Sequence, residues 1–212
     1  MNNVLVLGDG ILGSKIIEQT NWDYISRKKD GFDIREAHQF NFVNYKTIVN
    51  CIAYTNTYSN DKTLNWDINY KAVTNLVDYC NQHDLKLVHI STDYVYTNSI
   101  NEASENDIPI HGNNWYSYTK LLADAYVELR SKDYLIIRES HKIKPFPYEN
   151  AWIDIVGNFD YVDVISDLII KLIKNNSKGI INVGTELKTI LQLAQLSNKN
   201  VKPILSYFDT NL

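Results

Sequence analysis

The sequence is poor in the residues that small proteins use in place of a core. Only two cysteines, Cys51 and Cys80, occur in 212 residues, and both fall inside apolar segments. That excludes a disulfide scaffold and predicts free, buried thiols in a reducing compartment. The longest apolar run near the start, residues 4–7, is far too short to cross a membrane, and no charged-then-apolar leader opens the chain. The histidines (His38, His83, His89, His111, His141) and cysteines show no ligand spacing, so no protein-bound metal is expected. A basic excess is missing too. With a net charge of −4 and scattered lysines and arginines there is no footprint for nucleic acid. The expectation is a cytoplasmic protein with neither a membrane nor a nucleic-acid partner.

What is present is an alternating pattern. The 44% hydrophobic content over this length suffices for one domain with a full core. Short apolar strands are expected at 4–7, 22–26, 47–53, 85–90, 134–137 and 180–183. Amphipathic helices are expected at 11–20, 64–82, 116–129 and 162–173. In the second of these, Leu64, Ile68, Ala72, Leu76 and Tyr79 form the main stripe; in the third it is Leu121, Leu122, Ala125 and Leu129. Strands alternating with helices predict an α/β fold, a doubly wound parallel sheet with right-handed crossovers of the Rossmann type. Residues 140–158 show turn residues and no clear period.

The first turn reads Gly8-Asp9-Gly10-Ile11-Leu12-Gly13. In such a turn Gly8 permits the bend, Gly10 lets the backbone approach a pyrophosphate, and Gly13 lets the helix pack closely on the strand. The following helix N-terminus offers unpaired N–H groups to phosphate. At the end of strand two stand Ser26-Arg27-Lys28-Lys29, with no carboxylate until Asp30. Arg27 and Lys28 occupy the place where an acid would hold the ribose 2′-hydroxyl of NAD(H), so NADP(H) is favoured over NAD(H).

Tyr116 and Lys120 open the third helix one turn apart, on a shared face. A nearby ammonium favours phenolate, so the tyrosine pKa is expected to be pulled down towards the working range. Such a tyrosine gives a proton to a carbonyl oxygen as hydride reaches the carbon. Strand four ends in Ser91-Thr92-Asp93-Tyr94, at the sheet edge where ligands of open α/β folds sit, and Thr92 can complete the constellation.

The segments 50–55, 67–69, 90–96, 114–120, 137–140, 161–163 and 182–184 come in the order of a known family. The chain resembles an extended short-chain dehydrogenase/reductase, most closely the dTDP-4-dehydrorhamnose reductase group, over roughly residues 2 to 195. The resemblance implies an NADPH-dependent reductase of a 4-keto sugar nucleotide, an oxidoreductase of carbohydrate biosynthesis. It gives Thr92 the role of polarising the substrate carbonyl, Tyr116 that of the acid, and Lys120 that of holding the nicotinamide ribose. It also implies that Gly10, Ile11, Leu12, Asp33, Ile34, Ile52, Ala53 and Tyr54 line the cofactor and that Asn69 braces the lysine. Asp93, Asn114 and His141 are the implied substrate contacts.

Two departures in the motifs stand out. The glycine turn is one residue tighter than the family's, with Leu7 in place of its first glycine. Glu139-Ser140-His141 follows Arg138 where the family has Thr-Ser-Trp. Glutamate and cysteine are absent beside Thr92, which argues against sugar-nucleotide dehydration and against a cysteine-based epimerase. The chain is expected to be one NAD(P)-binding domain over 1–212, with reduced substrate-lobe elements at about 140–160 and 184–212. The pocket is then shallow or completed by a partner. An idle dinucleotide-binding regulatory subunit, or a reductase of an unrelated carbonyl, are the alternative readings. Trp66, Tyr70, Val73 and Val77 on one helix, and Tyr118, Ala123, Tyr126 and Val127 on the next, stand away from the main stripes. A homodimer through those faces is expected.

Overall fold

The computed structural model describes residues 3–206. Six parallel strands form one sheet: β1 (Val4–Leu7), β2 (Asp23–Ile25), β3 (Thr47–Asn50), β4 (Lys86–Ile90), β5 (Tyr134–Glu139) and β10 (Gly179–Val183). Their spatial order is β10-β5-β4-β3-β1-β2, so the winding reverses between β1 and β3. The strand ends are level there, with Leu7 opposite both Ile25 and Asn50 and Asn50 opposite His89. A crevice outside the carboxyl ends of β1 and β3 follows from that reversal.

Side chains alternate across the sheet, as the pleat requires. Leu5, Leu7, Ile48, Leu87 and Ile136 face α4 (Ala72–Gln82) and α5 (Trp115–Arg130). Val6, Val49, Val88, Leu135 and Ile137 face α1 (Ile11–Thr20) and α6 (Val162–Lys174). Both faces are covered, which is why these strands read as continuous apolar runs rather than as alternations.

The helix expected at 64–82 begins with α3 (Lys62–Leu64), passes through a π-helical stretch over Asn65–Lys71 and becomes α4. Its packing, and that of α5, differs from the expected stripes. Val73, Val77, Ala123 and Val127 are wholly buried in the core between α4, α5 and the sheet. Leu129 instead is 79% exposed, and Ala125 is exposed as well. The reason is that α4 and α5 lie side by side on the same sheet face, so each needs a wide buried arc, including the flank towards its neighbour. What remains apolar outside is Trp66, Tyr70, Tyr118, Leu122, Ala125, Tyr126 and Leu129.

The aperiodic stretch after β5 forms a small lobe of short pairings. β6 (His141–Lys142) pairs with β9 (Asp160–Tyr161), β7 (Asn150–Trp152) with β12 (Lys202–Ile204), and β8 (Val156–Gly157) with β11 (Lys188–Thr189). With α7 (Ile190–Ser197) they enclose a separate core of Phe146, Ala151, Phe159, Tyr161, Leu193 and Ala194. Residues 207–212 of the expected lobe lie outside the described residues. No helix among the described residues is long and apolar enough to cross a membrane.

Candidate active site

The glycine turn has the geometry its residues predict. Gly8 adopts φ +93°, a conformation that side chains avoid, and a Cβ there would also press on Ile52 Cγ1 at 2.6 Å. A Cβ on Gly13 would overlap the Gly8 carbonyl oxygen, so α1 can approach β1 this closely only with glycine. Gly10, the N-cap of α1, faces open space. Ile11 beside it is 49% exposed and lines the cleft together with Leu12.

Towards β2 the crevice deepens into a cavity of about 290 Å³ walled by Gly8, Gly10, Arg27, Ile34, Ile52, Ala53 and Tyr54. Ser26 caps a single helical turn, α2 (Arg27–Asp30), which turns Arg27 into that wall. Arg27 Nη2 meets Asp33 Oδ2 at 3.0 Å. Arg35 grips the same carboxylate with two bonds, at 3.0 and 2.5 Å, and holds it well below the usual carboxylate range. Lys28 does not join them. It is exposed and borders no part of this cavity, because the turn points it away. Lys29 folds back onto the Tyr24 ring and carbonyl. Sequence reading missed Arg35, two positions after Asp33; it is exposed and reaches the cavity only through the carboxylate it shares with Arg27.

Past Gly10, Cys51 and Ala53 the crevice opens into a cleft of about 500 Å³ at the ends of β4 and β5. Thr92, Tyr116 and Lys120 all line it. Thr92 Oγ1 accepts from Tyr94 N–H at 3.2 Å and so caps the 3₁₀ turn Asp93–Tyr96, and the Tyr116 hydroxyl stands close to the Thr92 side chain. Asn114 caps α5 by accepting from Ser117 N–H at 2.8 Å. That cap starts the helix at the point that turns Tyr116 towards Thr92.

The expected lowering of the Tyr116 pKa is reversed. Burial in the cleft wall raises it, and the Thr92 hydrogen bond offsets only part of that rise. Lys120 does not supply the missing stabilisation, because its Nζ donates to the Ile90 carbonyl at 2.7 Å and lies 3.2 Å from His89 Nε2. Burial lowers the lysine itself to about 8. Tyr116 is therefore a phenol that keeps its proton.

Two further residues on the expected list are placed elsewhere. Asn69 is buried, donating to the Tyr54 carbonyl at 3.0 Å and accepting from Tyr54 N–H at 2.7 Å. It fixes the loop after β3 and makes no bond to Lys120. Asn114 opens onto a neighbouring cavity with His111, Trp115 and Tyr118, not onto the cleft of Thr92. Asp93 and His141 do line that cleft. Desolvation by the surrounding walls pushes the Asp93 carboxyl up to about 6, although nearby Lys142 draws it down.

Sequence reading gave no role to Glu139, which ends β5 inside the cleft with both oxygens on His141 Nδ1. Nor did it find the layer beneath. Arg138 Nε meets Asp124 Oδ2 at 2.9 Å, both wholly enclosed, and Arg138 also donates to the Tyr96 hydroxyl. Both cysteines are free, and burial pushes each thiol up to about 12.

Comparison with known proteins bears on the family and the fold. The RmlD substrate binding domain family matches residues 1–142. The spore coat polysaccharide biosynthesis protein SpsK of Bacillus subtilis (strain 168) is 28% identical over 150 residues, covering 66% of this chain and 53% of that protein. The chain thus spans about half the length of that relative. Among solved structures, dTDP-4-dehydrorhamnose reductase from Bacillus anthracis strain Ames in complex with NADP superposes with a TM-score of 0.79 at 22% identity, over 97% of this chain and 85% of the other. A hypothetical dTDP-4-dehydrorhamnose reductase from Sulfolobus tokodaii gives 0.77 at 21%, over 97% and 87%. UDP-glucuronic acid 4-epimerase from Bacillus cereus in complex with NAD gives 0.73 at 18%, over 95% and 85%. These similarities establish the α/β architecture, and with the matched segment they lead to one conclusion: the chain belongs to the RmlD substrate-binding domain family.

Proposed function

We propose that the chain is a nicotinamide-dinucleotide-dependent reductase of a 4-keto sugar nucleotide, similar to the dTDP-4-dehydrorhamnose reductases. The observation that carries this reading is the meeting of Thr92, Tyr116 and Lys120 in one cleft that runs without a break into the glycine turn. The fit to a dinucleotide rests on Gly10, whose missing side chain leaves open space beside the unpaired N–H groups of α1. Gly8, Gly10, Ile11, Leu12, Ile34, Ile52, Ala53 and Tyr54 would hold it, with Gly13 setting the helix. Arg27 and Arg35 would meet a 2′-phosphate, which favours NADP(H) over NAD(H). When bound, the nicotinamide supplies the hydride.

The chain's own groups do the rest. Tyr116 holds its proton in the cleft and would deliver it to a carbonyl oxygen. Thr92 holds the phenol and polarises the same oxygen. Lys120, whose ammonium rests on the Ile90 carbonyl in the cleft wall, would hold the nicotinamide ribose. Asp93 and His141 stand in the cleft to meet the sugar. The whole chain 1–212 is then one cofactor-binding domain with a reduced substrate lobe, and its free thiols suit the cytoplasm. The apolar strip from Trp66 to Leu129 is the surface through which a second copy would pair.

The test is NADPH oxidation against a panel of 4-keto sugar nucleotides that includes dTDP-4-dehydrorhamnose. Turnover that disappears in Tyr116→Phe supports the reading. Tight cofactor binding without turnover on any member would replace it with a regulatory dinucleotide-binding role.

A further inference from the structure

Glu139 and His141 make a second proton-transfer unit in the cleft of Tyr116. Glu139 Oε1 and Oε2 lie 3.1 and 3.0 Å from His141 Nδ1. A carboxylate only accepts, so Nδ1 carries the imidazole proton and Nε2 is left with its lone pair. Among the described residues no hydrogen bond uses Nε2, and the side chain is 24% exposed towards the cleft. The pairing of β6 with β9 fixes the backbone of His141 opposite Asp160. An imidazole oriented by a carboxylate, with its other nitrogen free, is a general base. The same cleft holds, in Tyr116, a hydroxyl that keeps its proton.

A base and an acid sharing a site for a carbonyl compound can do more than assist reduction. We infer that His141 removes the hydrogen from the carbon next to the substrate carbonyl, so that the protein also enolises its keto sugar nucleotide and exchanges that hydrogen with solvent. The inference rests on the reading of the cleft as a keto-sugar site. In the step the C–H bond breaks and its proton passes to His141 Nε2, giving an imidazolium held by Glu139. The C–H electron pair becomes a C=C bond, the carbonyl π pair moves to oxygen, and Tyr116 gives its proton to that oxygen. Running the step backwards returns a proton to carbon. No electrons are gained or lost, so the step needs no oxidant or reductant.

The experiment is hydrogen exchange in D₂O with NADP⁺, where no hydride can be delivered. The probe is dTDP-4-keto-6-deoxyglucose, followed by mass spectrometry and by loss of the proton signals beside the carbonyl. Wild-type protein is expected to introduce deuterium well above the protein-free rate. His141→Gln and Glu139→Gln are expected to slow exchange by about 10²–10⁴-fold, while in Glu139→Gln reduction of dTDP-4-dehydrorhamnose by NADPH falls less than tenfold. Glu139→Gln keeps an acceptor for Nδ1, so it separates loss of basicity from loss of position. Exchange no faster than without protein, or undiminished in both variants, overturns the inference. Reduction without exchange sinks it and leaves the reductase reading intact. Exchange without any reduction does the reverse.

Discussion

Lys120 Nζ lies 3.2 Å from His89 Nε2 in the interior, beneath the cleft. Two basic groups at that distance cannot both be charged. Burial and the Lys120 charge push His89 well below its ordinary range, so the positive charge of the pair resides on the lysine. Burial brings that lysine to about 8, with Asp124 and Glu139 opposing the fall. A group with a lowered pKa loses its charge as pH rises through the lowered value. Activity that depends on the Lys120 ammonium is therefore expected to fall with a midpoint near pH 8. A rate profile that stays level to pH 10 would show that the ammonium is not required.

Tyr116→Phe removes the acid and keeps the ring. The expected loss of turnover is about 10²–10⁴-fold. Cofactor affinity, measured by calorimetry, is expected to change little, because the ring that fills the cleft wall is kept. Near wild-type turnover in this variant would remove Tyr116 from the reaction.

Arg27 and Arg35 share Asp33, and either is free to exchange that partner for a 2′-phosphate. Charge-assisted bonds of this kind contribute about 1.5–3 kcal/mol. NADPH is expected to bind more tightly than NADH, and Arg27→Ala to narrow the gap by roughly tenfold or more. Equal affinity for both cofactors in the wild type would exclude the assignment.

The Arg138–Asp124 pair lies wholly in the interior behind the cleft. Removing one partner of a buried pair leaves an uncompensated charge and typically costs about 3–5 kcal/mol. Asp124→Ala is expected to lower the urea midpoint accordingly, whereas Asp167→Ala, whose partner Lys171 is exposed, is expected to change it little. Equal effects would mean that the buried pair is not structural.

The strip of exposed Trp66, Ala125 and Leu129 with half-buried Tyr70 and Leu122 predicts a dimer with a two-fold axis. Light scattering at micromolar concentration is expected to give twice the 24.5 kDa chain mass. Leu129→Asp, at 79% exposure, is expected to shift that mass to the monomer without unfolding the chain. A wild-type monomer would reject the dimer.

The sequence by itself determined the sheet, because each strand between two helical layers must be apolar on both faces and so appears as an unbroken run. It also determined the glycine turn, since Gly8 and Gly13 answer to backbone geometry that no other residue satisfies. The places of Thr92, Tyr116 and Lys120 were legible for the same local reason: each is set by the end of a strand or the first turn of a helix. What only the tertiary structure decided depends on partners distant in sequence. The faces of α4 and α5 were misjudged because a helix packed against both a sheet and another helix buries a wider arc than one stripe shows. The pKa of Tyr116 was misjudged because spacing reveals the nearby lysine but not the depth of burial, and at that site burial dominates. The small lobe reads in the sequence only as reduced substrate-lobe elements at about 140–160 and 184–212, without strands, because pairings of two or three residues, such as Lys202 with Asn150, leave no period. Glu139 and His141, two positions apart on a strand and its continuation, became a dyad only when the chain folded their side chains into the cleft of Tyr116.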